Sequence, residues 1–214
     1  EMKTWLEVAG PTYEEIFAKH NQKVLYYVPW PSPGIYTKEA VVSADDIAGQ
    51  RIRAFNATSF DFLERLGAAP VELPFGELAA AAAAGTVDGA ATSTSTGANS
   101  KLYQFTRHFN PLNWSMSPDA VTVNLDAWNA LTDAERDAIQ EIADKMEGEF
   151  WAVSAAEDSA KAQILVDNGM TISAADDSLS AKMAEAGKAM WQEFFAKVPE
   201  AQSVVEAYAA KLGK

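Results

Sequence analysis

Gly49-Gln50-Arg51-Ile52-Arg53-Ala54-Phe55-Asn56 is followed by Leu66-Gly67-Ala68-Ala69-Pro70-Val71 and then by Gly85-Thr86-Val87-Asp88-Gly89. The first stretch puts a guanidinium at the end of a short strand, predicted over residues 51–54. Two glycine-punctuated units stand behind it. Residues 59–66 read as a helix with Phe62, Leu63 and Leu66 on one face and Gly67 as its stop. Residues 69–73 read as a strand, 77–84 as an alanine-rich helix ended by Gly85, and 87–91 as the next strand. Alanine is the strongest helix former, and its small side chain lets a helix lie close to a sheet. The order β-α-β-α-β implies parallel strands with right-handed crossovers. Ligands of such sheets sit outside the carboxyl ends of the strands. Arg53, Phe75 and Thr92 fall at or near such ends, so three elements point at one crevice.

Upstream, Thr12-x-x-Glu15 reads as a capping box opening a short helix to about His20. Val24-Leu25-Tyr26-Tyr27-Val28 reads as a buried strand. Pro29-Trp30-Pro31-Ser32-Pro33-Gly34 then stops regular structure, as a crossing between lobes or as a rigid surface loop. Ser43-x-x-Asp46 caps one helical turn closed by Gly49. Downstream, Thr92-Ser93-Thr94-Ser95-Thr96-Gly97 reads as a hydroxyl-rich loop, and 120–124 as a strand. Thr132-x-x-Glu135 is a second capping box. It opens a proline-free stretch in which Ile139, Ile142, Met146, Phe150 and Val153 recur at helical spacing. Such a helix is roughly 50 Å long, enough to run along two lobes unless it bends. Met170-Thr171-Ile172 reads as a short strand, and helices at about 179–197 and 201–212 close the chain.

The 214 residues are 48% hydrophobic and carry a formal net charge of -13. A chain this long buries a real core as one domain or two lobes. Its acidity excludes a basic surface for nucleic acid or for anionic lipid. It has no cysteine, which removes disulfides, thiol catalysis and Cys-type metal sites. No apolar run reaches membrane-spanning length, so no direct membrane insertion is expected. The two histidines, His20 and His108, lack metal-ligand spacing, and no G-x-S-x-G, G-x-G-x-x-G or Walker lysine pattern is present. Asp45-Asp46 and Asp176-Asp177 read as helix-start acids. No catalytic residue, metal site or cofactor is expected. The rival reading is an α/β hydrolase or lyase acting on a small carboxylated substrate, with a histidine as base.

A guanidinium matches a carboxylate through planar, paired donors. Arg51 and Arg53 lie on the same strand face by alternation, and the strand-end rule favours Arg53. Asn56 offers a nearby amide or a helix cap. Phe75, Trp30, Tyr36 and Trp114 serve equally as pocket walls or as core. Thr92 and Ser93 suit polyol hydroxyls or a plain polar loop.

Asp46-Ile47-Ala48-Gly49-Gln50-Arg51-Ile52-Arg53, Leu66-Gly67-Ala68-Ala69-Pro70-Val71, Leu73-Pro74-Phe75-Gly76-Glu77-Leu78, Gly85-Thr86-Val87-Asp88-Gly89 and Val123-Asn124-x-x-Ala127-Trp128-x-x-Leu131 recur in order and spacing. In these the chain resembles the DctP-type solute-binding proteins of tripartite ATP-independent periplasmic (TRAP) transporters, over most of residues 24–169. The resemblance implies an α/β, two-lobed periplasmic-binding-protein-like architecture with a hinge and a long helix (133–167) spanning both lobes. Residues 1–33 and 118–157 would form a partial first lobe, and 34–117 with 170–214 the second. It implies a periplasmic monomer, not an enzyme, that closes around a small organic acid and delivers it to TRAP membrane permease subunits. A sensor module with the same ligands is the other alternative. Arg53 matches the family's carboxylate clamp, Asn56 a polar contact and Phe75 an aromatic wall. Thr92 stands where many members carry asparagine, and Tyr36 where many carry a second arginine. These departures favour a sugar acid or other hydroxy monocarboxylate over a dicarboxylate. Family members begin with more strands and helices, so the chain reads as a fragment with an incomplete first lobe and, if it folds alone, poor affinity.

Overall fold

A computed structural model describes residues 1–115 and 117–213; Met116 and Lys214 lie outside the described residues. In chain order the elements are α1 (Met2–Lys19), β1 (Gln22–Trp30), β2 (Gly34–Thr37), β3 (Ile52–Ala54), α2 (Ala57–Arg65), β4 (Val71–Glu72), α3 (Leu78–Ala83), β5 (Gly89–Thr92), α4 (Thr94–Asn99), β6 (His108–Asn110), β7 (Ser117–Asn124), α5 (Leu125–Asn129), α6 (Asp133–Asp167), β8 (Thr171–Ile172), α7 (Asp177–Lys197) and α8 (Glu200–Lys211). Contacts divide the chain into two compact units. One is Glu1–Trp30, Met116–Ala156 and Phe194–Lys214; the other is Pro31–Ser115 and Glu157–Glu193. The 35-residue helix α6 has residues in both, and a single long helix is what its periodicity leads one to expect.

In the first unit β1 and β7 pair antiparallel, with a register shift between Val24 and Tyr26. Side chains of α6 cap the edge of β1. Gln140 Nε2 donates to the Leu25 carbonyl (3.3 Å), Trp151 Nε1 to Tyr27 (2.9 Å) and Ser154 Oγ to Pro29 (2.6 Å). Helix α6 opens on the expected capping box. Thr132 N donates to Glu135 Oε2 (2.8 Å), and Glu135 N to Thr132 Oγ1 (3.3 Å). Of the expected apolar stripe, Ile139, Met146 and Phe150 are half-buried. Ile142 and Val153 are 59% and 55% exposed, whereas Ala143 is buried. The inward face also carries the half-buried polar Gln140 and Ser154, which meet β1 and which apolar periodicity does not register.

Helix α1 corrects the first capping box. It begins at Met2 and runs through Pro11, and no Thr12 cap forms. Proline costs an interior helix one hydrogen bond and a clash, but packing on both sides holds this one together. Trp5 Nε1 donates to the Tyr13 hydroxyl (3.0 Å), spanning the proline, while Trp5 meets Tyr208 of α8 edge-on at 5.2 Å. Lys211 pairs with Glu7 at 2.9 Å.

The second unit is a six-stranded sheet of order β4-β3-β5-β2-β6-β8. Strand β3 pairs parallel with β4 and β5, as the β-α-β-α-β rhythm requires. Strand β2 runs antiparallel to β5 and β6, so the sheet is mixed. Successive residues serve opposite faces. Ile35 and Ala91 join Ile52, Leu63, Leu66 and Leu179 in one core, while Tyr36 and Ala90 join Leu78, Val87, Phe109 and Leu165 in the other. Helix α2 ends at Gly67, whose φ of +93° is left-handed and suits glycine. The expected hydroxyl-rich loop is instead the end of β5 and the start of α4. Ser93 is the N-cap, its side chain accepting from Thr96 N at 3.2 Å. Serine and threonine weaken helix interiors but are favoured caps, which hid this helix. Lys161 Nζ donates to Asn99 Oδ1 (2.6 Å) and Thr94 Oγ1 donates to Asp158, holding α4 against α6.

Candidate functional site

Arg53 stands in register with Val71 on β4 and Ala90 on β5. Leu73 and Thr92 lie two residues further along those neighbours. Arg53, Leu73 and Thr92 therefore gather at the carboxyl ends of three adjacent parallel strands. Arg53 is only 7% exposed. Its Nε donates to the Leu73 carbonyl at 3.0 Å, and its Cζ lies 5.3 Å from the Phe75 ring centroid. Among the described residues no carboxylate pairs with it. Burial alone lowers its pKa, because desolvation disfavours the charged form.

Arg51 has a different environment. Its Nη2 and Nε reach Asp88 Oδ1 and Oδ2 at 2.7 and 3.0 Å, a bidentate pair, and its backbone N–H also donates to Asp88 at 3.0 Å. These hydrogen bonds hold the Asp88 carboxyl below its ordinary range. A carboxyl lowered in the folded state adds stability above its unfolded pKa, and loses it as pH falls through the folded value. The pair is half exposed, so solvent screens it. Asp88→Asn should cost about 1 kcal/mol or less at pH 7, and the difference from wild type should shrink below about pH 4. Urea unfolding across pH checks this. Ligand affinity should stay within about twofold, since Arg51 is structural.

The other expected residues sort as follows. Asn56 is exposed and caps α2: its Oδ1 accepts from Ser59 N (2.8 Å) while Ser59 Oγ accepts from Asn56 N (3.0 Å). Its side-chain NH2 is left for other partners. Thr92 and Ser93 are buried at the end of β5. Tyr36 is turned into the core. It is wholly buried against Phe109 (4.5 Å between centroids), and its hydroxyl donates to the Ser93 carbonyl at 3.1 Å. Burial, reinforced by Asp158, raises its pKa. Trp114 stacks between core Phe62 (5.1 Å) and exposed Phe55 (6.3 Å). Phe55 follows Arg53 by two residues, and no sequence signal separates it from an ordinary apolar residue. Trp30 ends β1 in the first unit.

Among the described residues no three acidic or histidine side chains gather to hold a metal, and no helix is long and apolar enough to cross a membrane. A recess of about 10 Å³ lined by Leu78, Val87, Ala90 and Leu102 has room for about one water, not for an organic acid.

The sequence profile of DctP, the bacterial extracellular solute-binding protein family 7, matches residues 3–198. The chain belongs to this family. Its members are described as bacterial extracellular solute-binding proteins. The chain spans 58 to 62% of the length of the curated relatives it matches. Three solved structures resemble it, each over 97% of this chain and 69% of their own. DctP6 of Bordetella pertussis, an extracytoplasmic solute receptor binding pyroglutamic acid, is 29% identical with a TM-score of 0.88. A marine metagenome TRAP solute-binding protein specific for pyroglutamate is 28% identical with a TM-score of 0.88. A TRAP periplasmic solute-binding protein of Haemophilus influenzae with bound L-gulonate is 23% identical with a TM-score of 0.87, a likeness of fold.

Proposed function

We propose that this family-7 chain captures a small organic acid for a TRAP-type transporter in the periplasm, with Arg53 holding a single carboxylate. The supporting observation is a buried guanidinium, with no acidic partner among the described residues, at the carboxyl ends of three parallel strands. A buried charge is costly unless paired, and an anionic ligand supplies the missing pair. With Nε bonded to Leu73, the two Nη groups form the fork that a carboxylate fits. Arg51 is occupied by Asp88 and Tyr36 is core, so one guanidinium serves one carboxylate. Asn56, Thr92 and Ser93 supply polar groups for the rest of the ligand. Pyroglutamate and gulonate, bound by the relatives above, each carry one carboxylate on a polar body. Binding works by selection: ligand adds its free energy to the conformation it prefers, and that conformation is delivered to the permease.

A thermal-shift screen tests the ligand class. Pyroglutamate, gulonate or a uronate at 100-fold over its Kd should add about 2.7 kcal/mol, a rise of roughly 5–10 °C in Tm for a chain this size. A larger shift with succinate or malate would overturn the single-carboxylate reading.

A further inference from the structure

Resting on that reading, we infer that Phe75 acts chiefly on Arg53 rather than on the ligand, and that Leu73-Pro74-Phe75 is a rigid cradle that aims the guanidinium. The two held contacts constrain different motions. The Leu73 carbonyl takes Nε–H at 3.0 Å and fixes rotation of the guanidinium plane about the side chain. The Phe75 ring, 5.3 Å from Cζ, attracts the cation and limits how far the guanidinium can swing. Between them stands Pro74, with φ -55° and ψ 139°. Its ring fixes φ and biases Leu73 toward extended backbone. The carbonyl and the aromatic ring are thereby held at a set spacing. Phe75 also opens the turn Phe75–Glu77 that leads into α3, and it packs with Leu73 and Val71 against the core containing Leu78 and Val87. Its ring is thus packed against that core and in contact with the Arg53 cation. Cation–π attraction strengthens when the partners are desolvated, and Arg53 is buried. Pre-orientation matters for a carboxylate clamp because both hydrogen bonds form only when the fork is coplanar with the anion.

The test needs no ligand for its first arm. In ¹H–¹⁵N spectra of the arginine Nε–H groups, Arg53 should give a resolved, slowly exchanging signal in the wild type and in Phe75→Tyr. In Phe75→Leu that signal should move toward the exposed arginines and exchange at least tenfold faster. An unchanged Arg53 signal in Phe75→Leu would overturn the inference, whatever Arg53 binds. The second arm is a cycle with L-pyroglutamate as probe, using Phe75→Leu, Arg53→Lys and the double variant. Phe75→Leu should weaken binding about tenfold alone and less than twofold on top of Arg53→Lys. Equal losses in both backgrounds would make Phe75 a pocket wall and overturn the inference. Unchanged affinity in Arg53→Lys would defeat the clamp itself, while the spectral arm still decides the cradle.

Discussion

Replacing Arg53 with lysine should weaken binding of the preferred acid by about 100-fold, or about 2.7 kcal/mol, with little loss of fold. Charge is retained, so a purely Coulombic site would tolerate the change. The geometry would not. An ammonium has no planar fork, cannot reproduce the Nε bond to Leu73 and moves the charge from its place 5.3 Å from the Phe75 ring centroid. Lysine also desolvates less easily than the weakly hydrated guanidinium, and position 53 is 7% exposed. Arg51→Lys is the matching control. It disrupts an exposed bidentate pair with Asp88 that solvent screens, and should leave affinity within about twofold. Titration calorimetry on the two variants separates the arginines directly.

Gly97→Ala should destabilise the chain by about 3 kcal/mol, a fall of roughly 6–12 °C in Tm. A Cβ at position 97 would stand 2.2 Å from both Cζ and the hydroxyl oxygen of Tyr36. That ring cannot retreat. It is wholly buried, packed on Phe109 and tied to the Ser93 carbonyl. Relief must come from α4, which begins beside Ser93, so the end of β5 would shift with it. Affinity should therefore fall together with stability. Tyr36→Phe removes only the hydrogen bond and should cost about 1 kcal/mol. Denaturant unfolding that found Gly97→Ala within 1 kcal/mol of wild type would mean that α4 is free to move.

The strand-end arginine was legible in the sequence because strand, glycine stop and helix repeat in a fixed rhythm, and parallel pairing follows from that rhythm. The choice between Arg51 and Arg53 rested on a rule of position. Its physical ground is Asp88, 37 residues downstream, which occupies Arg51. Long-range pairing also explains what was illegible. Strand β2 follows a proline-rich stretch and owes its existence to β5 and β6. Tyr36 sits on that strand, so its inward direction could not be read from its neighbours. Helix α4 was masked by residues that disfavour helix in isolation, and the proline in α1 by packing that overrides a local stop. In α6 the helix was legible and its inward face only in part: Ile139, Met146 and Phe150 lie on it, but so do the half-buried Gln140 and Ser154, which are there for their donors rather than for apolar surface.

The most direct measurement of the clamp compares one acid with its own primary amide. The monocarboxylate giving the largest thermal shift is titrated calorimetrically into the wild-type chain, followed by the corresponding carboxamide. The two differ at one group and have nearly the same shape. If a carboxylate completes the buried Arg53 guanidinium, the acid binds at least 100-fold more tightly and Arg53→Lys removes most of that preference. An amide that binds as tightly as the acid would contradict it.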